Sequence, residues 1–240
     1  MRVSHQNCTR RRIALCGIVF CSGLFCPPAA VASDLTGIAS LTSEYIYRGL
    51  NQSDGNPAIQ FGLDYAFDSG MFVGAWTSTI DMRGATSERD VELDYYLGYH
   101  YESKAQLAAT LTVLRYTYPG QIGAHSYDYD EVLLMASWRE RYSIEFGYTN
   151  NYYGLDRITR HWELRSDWSV ANVWVISAAL GRNDLSSVGI SRYLHWDVGA
   201  SARFSRVVLD LRWYDNEPLR GFAASLAAGP QLVVSISTAF

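Results

Sequence analysis

Beyond residue 32 the sequence holds four histidines, His100, His125, His161 and His195, and no cysteine. Nucleophilic catalysis needs a serine or cysteine within hydrogen-bond reach of a base. His125 precedes Ser126 in a long polar stretch, and His161 stands five residues before Ser166. Both separations are odd, so on a strand the two partners would face opposite sides. No G-x-S-x-G elbow occurs. No pair of His or Cys has metal-ligand spacing, and Asp128-Tyr129-Asp130-Glu131 reads as a solvated entry to a strand rather than a calcium site. The sequence thus points to no catalytic residue, no metal and no cofactor, and to a protein that is not an enzyme.

The charged residues have a pattern of their own. Apolar side chains occupy every second position in 59–67, 91–101, 142–148, 162–168, 194–204 and 207–213, with sets such as Ile59/Phe61/Leu63/Tyr65/Phe67 and Val207/Leu209/Leu211/Trp213. A period of two suits a strand and not a helix. The opposite faces carry Gln60 and Asp64; Glu92 and Asp94; Glu145; Glu163 and Arg165; Asp197; Asp210 and Arg212. A face this charged is not an ordinary protein core. Weaker segments at about 35–48, 71–80, 105–117, 128–138, 173–182 and 231–240 bring the expected number of strands to twelve. The faces of 105–117 stay undecided.

The connections alternate. Long stretches (49–56, 81–90, 118–127, 150–160, 183–191, 214–230) are interleaved with short ones such as Asp68-Ser69-Gly70, Arg139-Glu140-Arg141 and Ser205-Arg206. Outer-membrane barrels have this asymmetry, together with an even strand number and aromatic girdles at the interfaces. Tyr45, Tyr47, Phe67, Tyr101, Tyr118, Trp138, Tyr142, Trp168, Phe204 and Trp213 stand near strand ends, where such girdles would lie. No stretch of about 18 apolar residues could cross a bilayer as a helix. The expected fold is therefore all-β, a closed antiparallel transmembrane barrel with short periplasmic turns and longer extracellular loops. Closure is demanded because an open sheet edge in hydrocarbon would leave backbone groups unpaired. A soluble sandwich or lipocalin-like barrel would reverse the two faces, and alternation alone does not tell which way they point.

At the start of the chain, Arg10-Arg11-Arg12 precede an apolar run from Ile13 to about Cys26 that ends in Ala30-Val31-Ala32. This predicts a cleaved signal peptide over 1–32 and a single barrel domain over 33–240. All four cysteines lie in the leader, so no disulfide framework remains. Cys26 follows Leu24-Phe25 rather than small residues, which argues against a lipid anchor. The leader also takes four of the 20 basic residues and none of the 24 acidic ones, leaving 16 against 24 and a net charge near −8. Nucleic acid does not fit as a partner. The expected partners are outer-membrane lipid, small solutes or ions, and the barrel-assembly machinery, which would read the terminal strand 231–240 ending on Phe240.

Ser43-Glu44-Tyr45-Ile46-Tyr47-Arg48-Gly49-Leu50-Asn51-Gln52-Ser53-Asp54-Gly55-Asn56-Pro57-Ala58-Ile59-Gln60 resembles the S-x-Y-x-x-R-G-x-x-Q-S-x-x-x-P-A-x-Q hairpin that opens the TorF-type porins of Gram-negative bacteria. Similar features follow at Leu63-Asp64-Tyr65, Phe72-Val73-Gly74, Trp76, Glu92-Leu93-Asp94, Gly98-Tyr99, Tyr116–Gly120, Glu131 and Gly147-Tyr148. The likeness is dense over about 34–150 and thin beyond. It implies an outer-membrane porin and says little about the solute.

Arg48, on the parity of Thr42, Glu44 and Ile46, is expected at the outer end of the first strand, pointing inward. Asp64, Glu92, Asp94 and Glu131 are then its candidate partners from other strands. Either these charges form a structural ladder that satisfies a narrow lumen, or they line a constriction that selects solutes. Gly49 and Gly55 are read as turn residues. The functional expectation is passive diffusion of ions or small hydrophilic solutes. A structural or surface-interaction barrel is the alternative, followed by a lipid-modifying barrel enzyme.

Overall fold

The computed structural model describes residues 35–81, 90–119, 126–219, 224 and 226–240. The expected signal peptide, His125, and parts of three long loops lie outside the described residues. The chain forms β1 (Leu35–Thr42), β2 (Ile46–Tyr47), β3 (Leu50–Asn51), β4 (Ala58–Ala66), β5 (Met71–Ile80), β6 (Asp90–Glu102) and β7 (Leu107–Thr117). It continues with β8 (Tyr129–Trp138), β9 (Tyr142–Thr149), β10 (Thr159–Ser169), β11 (Trp174–Asp184), β12 (Arg192–Phe204), β13 (Val207–Asn216) and β14 (Gln231–Ala239). All but β2 and β3 make one closed antiparallel barrel of twelve strands, each paired with its neighbours in sequence, with β14 returning to β1. β2 and β3 pair only with each other.

The barrel closes where the sequence ends. Five positions pair from Ile38↔Ala239 to Thr42↔Ser235. Gly37 N–H donates to the Phe240 carbonyl at 2.9 Å and Phe240 N–H returns to Gly37 O at 3.0 Å. A Cβ at position 37 would sit 2.5 Å from the Phe240 ring, so the glycine lets that ring lie flat across the seam.

Alternation now has a direction. On β4, Phe61 is 51 % exposed while Gln60 is 1 % exposed, and Ile59 and Leu63 share the outer face. The same division holds on β6, β12 and β13, where Leu97, Trp196 and Leu211 are exposed and Asp94, Asp197 and Arg212 are buried. It also decides the open segment: on β7, Leu111 and Val113 face out, and Thr110, Thr112, Leu114 and Tyr116 face in. An inverted pattern of this kind costs little only if the outside is not water, because about 25 cal/mol accompanies each Å² of apolar surface hydrated.

The short connections 67–70, 103–106, 139–141, 170–173 and 205–206 gather at one end of the barrel and the long ones at the other. At 139–141, Arg139 and Glu140 both take positive φ (58° and 53°), and Arg141 N–H donates to Trp138 O at 3.1 Å. That is the hairpin geometry whose twist matches the strands. Beside this end, exposed Trp138 stacks on Tyr142, whose ring meets Trp168 edge-on, both at 5.9 Å. Arg139 and Arg141 lie over Trp138 and Trp168 at 4.6 and 4.4 Å.

Two expectations change here. The first strand stops at Thr42 rather than near residue 48, and the chain turns inward to make the β2–β3 hairpin. Tyr45 and Tyr118, expected in an outer girdle, are buried inside the barrel, and Tyr47 packs partly buried beside them. Their neighbours are Phe72, Trp76, Tyr96, Leu114 and Leu133, which face in from β5–β8. One half of the interior is therefore rich in aromatic rings, with Asp64, Glu92, Asp94 and Glu131 set among them, and the other half carries the remaining inward charges.

Candidate functional site in the barrel interior

All but one of the inward charges singled out from the sequence are tied to a neighbour, mostly by the register of the strands. On β4, Asp64 Oδ1 accepts a hydrogen bond from Tyr96 Oη of β6 at 2.6 Å. Glu92 accepts from Tyr118 Oη at 3.0 Å. Asp94 is fully buried one step along the same face, and neither of its oxygens has a hydrogen-bond partner among the described residues. Glu131 of β8 accepts from Tyr116 Oη at 2.8 Å and from Arg48 Nη1 at 2.7 Å.

The opposite wall is a second ladder. Arg165 of β10 bridges Glu163 at 3.2 Å and Asp197 of β12 at 3.3 Å. Arg212 of β13 pairs with Asp197 and with Asp210 and donates to Ser177 Oγ at 2.7 Å, while Ser201 Oγ donates to Asp210 at 2.6 Å. Gly199 makes this possible, since a Cβ there would stand 2.8 Å from the Arg212 guanidinium carbon. Between the ladders Glu145 of β9 lies 3.8 Å from Arg48. Glu145, Glu163 and Arg165 keep side-chain exposures of 30, 21 and 16 %, against 3 % or less for Glu131, Asp197 and Arg212. Water therefore reaches the charges mainly beside β9 and β10.

The hairpin fills much of the loop end. Arg48 (φ 51°) and Gly49 (φ 76°) form its turn, so the arginine projects from the hairpin tip and not from a barrel strand. This corrects its expected position on the first strand, where residues 43–48 would have had to stay in the sheet. Its partner Glu131 was among the candidates; Asp64, Glu92 and Asp94 are not paired with it. Three further contacts hold the turn: Tyr193 Oη donates to Arg48 O at 2.9 Å, Ala228 N–H donates to Gly49 O at 2.9 Å, and Asn51 N–H donates to Leu226 O at 2.9 Å. Tyr47 Oη meets Tyr116 Oη at 2.7 Å.

Around the hairpin, Tyr116 stacks on Tyr129 at 4.4 Å, and Tyr152 and Tyr153 of the β9–β10 loop close over them. Burial pushes the hydroxyls of Tyr47, Tyr118, Tyr152 and Tyr153 above the ordinary phenol range, so they stay neutral. Burial works against the Arg48 charge, but Glu131, Tyr47 and Tyr116 together outweigh it and keep the guanidinium protonated.

All twelve charged or polar positions singled out from the sequence face the interior, Arg48 by way of the hairpin. What the sequence did not single out are the tyrosine partners Tyr96, Tyr116 and Tyr118, and a contact between His161 and His195 on strands two apart. With Glu163 these histidines form a group that could hold a metal ion. The shared inward parity of His161 and His195 was the one signal available.

A family model described as "Bacterial protein of unknown function (Gcw_chp)" matches residues 28–232. No curated protein sequence matches the chain. Among solved structures it is similar to the KdgM porin, also determined in complex with disordered oligogalacturonate, with a TM-score of 0.53 and 7 % identity over 86 % of this chain and 98 % of that one. It is also similar to the COG4313 outer membrane channel from Pseudomonas putida F1, with a TM-score of 0.51 and 12 % identity over 88 % of this chain and 97 % of that one. At such identities the likeness extends to the fold.

Proposed function

The chain belongs to the Gcw_chp family, bacterial proteins of unknown function, and we propose that it is a porin-like channel of the Gram-negative outer membrane. Residues 1–32 would export it, the long loops would face outward, and ions or small hydrophilic solutes would diffuse through a narrow charged interior. The kinship with TorF-type porins belongs to the same proposal.

The observation that carries this reading is the inverted barrel: apolar side chains cover the outside while ionic ladders run inside. Hydrocarbon accepts the first, and only an enclosed, hydrated axis accommodates partly exposed charges such as Glu145 and Glu163. Labelling from within a bilayer should mark Phe61 and Leu93 and spare Asp64 and Glu92; the opposite pattern removes the membrane assignment.

Inside, the acids Asp64, Glu92, Asp94, Glu131, Glu145, Glu163, Asp197 and Asp210 outnumber Arg48, Arg165 and Arg212. Charged walls select by sign. Purified protein in planar bilayers under a salt gradient should show a reversal potential of cation-selective sign, shifted toward zero by Glu145→Gln with Glu163→Gln. Absence of any current steps defeats the channel.

A structural barrel is the second reading, favoured by the hairpin and tyrosines that occupy the loop end. It predicts that wild-type protein and protein lacking the hairpin are equally silent.

A further inference from the structure

His161 on β10 and His195 on β12 both face inward with β11 between them. The register places Glu163 opposite Gly181 and Gly181 opposite His195. A Cβ on Gly181 would overlap the His195 ring. The glycine therefore opens a trough in the middle strand, and the ring lies across it to reach His161. The two Nε2 atoms stand 3.2 Å apart, with ring planes 13° from parallel and centroids 5.4 Å apart. One ligand atom from each of His161, Glu163 and His195 lies within 4.8 Å of the other two.

We propose that His161, Glu163 and His195 bind a divalent transition-metal ion, with Zn²⁺ the best match, inside the barrel wall. Three observations carry it. Tetrahedral zinc with Zn–N of about 2.0–2.1 Å has ligand atoms about 3.3–3.4 Å apart, and the two imidazole nitrogens are already at nearly that separation. In the metal-free protein those nitrogens share one proton in an N–H···N hydrogen bond; an ion takes both Nε2 lone pairs, and that proton moves to Nδ1 of the ring that donated it, leaving both imidazoles neutral.

Second, the groups behind the ligands are those that metal sites use. A ligating histidine commonly turns its other N–H to a carboxylate. His161 Nδ1 is buried, has no hydrogen-bond partner among the described residues, and lies 3.8 Å from Glu145 Oε1. Arg165, anchored by Asp197, holds the Glu163 carboxylate in place. Glu163 is also partly exposed, so a fourth position can take water.

Third, the charge around the site is incomplete. The ion pairs run Glu131–Arg48–Glu145 and Glu163–Arg165–Asp197–Arg212–Asp210, five carboxylates against three guanidiniums among the described residues. A dication held by two neutral imidazoles offsets the excess of two negative charges. Two imidazoles and a carboxylate suit zinc, nickel or copper over magnesium or calcium. The site does not depend on whether the barrel conducts.

The test uses untagged, folded full-length mature protein in detergent, stripped with a chelator and titrated with ZnCl₂. One equivalent should bind, the urea midpoint should rise, and His195→Gln should abolish both effects. Glu145→Gln, which removes only the carboxylate behind His161, should weaken binding by about 10–100-fold. His100→Asn, on β6 beside Thr110 and away from the ligands, should change nothing. Should a ligand variant fail to fold, the wild type still decides: Co²⁺ should give the visible absorption of a tetrahedral nitrogen and oxygen site, and one equivalent of Zn²⁺ should bleach it. Failure of the folded wild type to bind one equivalent, or binding unchanged in His161→Asn and His195→Gln, overturns the site and leaves a hydrogen-bonded histidine pair.

Discussion

Deleting residues 44–53 should raise single-channel conductance several-fold in planar bilayers, and Arg48→Ala should raise it less. The hairpin is attached to the interior at its tip by the ion pairs of Arg48 with Glu131 and, more loosely, Glu145, and by the hydroxyl contacts of Tyr47 and Tyr193. Removing the guanidinium leaves Glu131 as a buried carboxylate with only Tyr116 Oη, a state that water entry relieves. Backbone bonds from Gly49 and Asn51 to the 226–228 segment remain in the point variant, which is why deletion goes further. Arg48→Ala also removes a positive charge from a predominantly acidic interior, so its cation selectivity should rise with conductance, whereas the deletion takes Glu44 along with Arg48 and leaves the net charge unchanged. Three equal conductances would mean that the hairpin does not obstruct the path.

Arg212→Ala should cost about 3–5 kcal/mol of stability, the range for removing one partner of a buried ion pair. Its side chain is 0 % exposed and serves Asp197, Asp210 and Ser177 at once. Alanine leaves Asp197 with Arg165 and Asp210 with only the Ser201 hydroxyl, although both carboxylates are nearly buried. Urea unfolding in detergent or lipid reads the loss as a lowered midpoint at unchanged slope. Adding Asp210→Asn should recover part of it, because the penalty belongs to the unpaired carboxylates. A loss within about 0.5 kcal/mol, typical of a surface change, would show that water already solvates this ladder. Arg212→Lys should fall between, since an ammonium lacks the planar fork that reaches three partners.

The barrel was legible because its signals are local. Alternation at Ile59–Tyr65 or Val207–Trp213 states which side chains share a face, and the alternating lengths of the connections state which strand ends lie together. Where these signals were weak, they failed: AQLAATLTVLRYT offers apolar side chains on both parities, and only pairing of β7 with β6 and β8 turned Thr112 and Leu114 inward. At Tyr45 and Tyr118 a rule about strand ends gave way to packing, because an aromatic ring beside an inward hairpin buries more apolar surface inside the barrel than at an interface.

The sequence by itself determined an even set of alternating strands and the list of charges that share their polar face. Tertiary structure alone decided that residues 43–48 leave the wall, that Arg48 reaches a carboxylate 83 positions away, and that His161 and His195 meet over Gly181. The physical reason is that a period of two fixes orientation within a strand, whereas contact across the barrel depends on stagger between strands and on the room one glycine leaves. Neither is written in the spacing of the residues that touch.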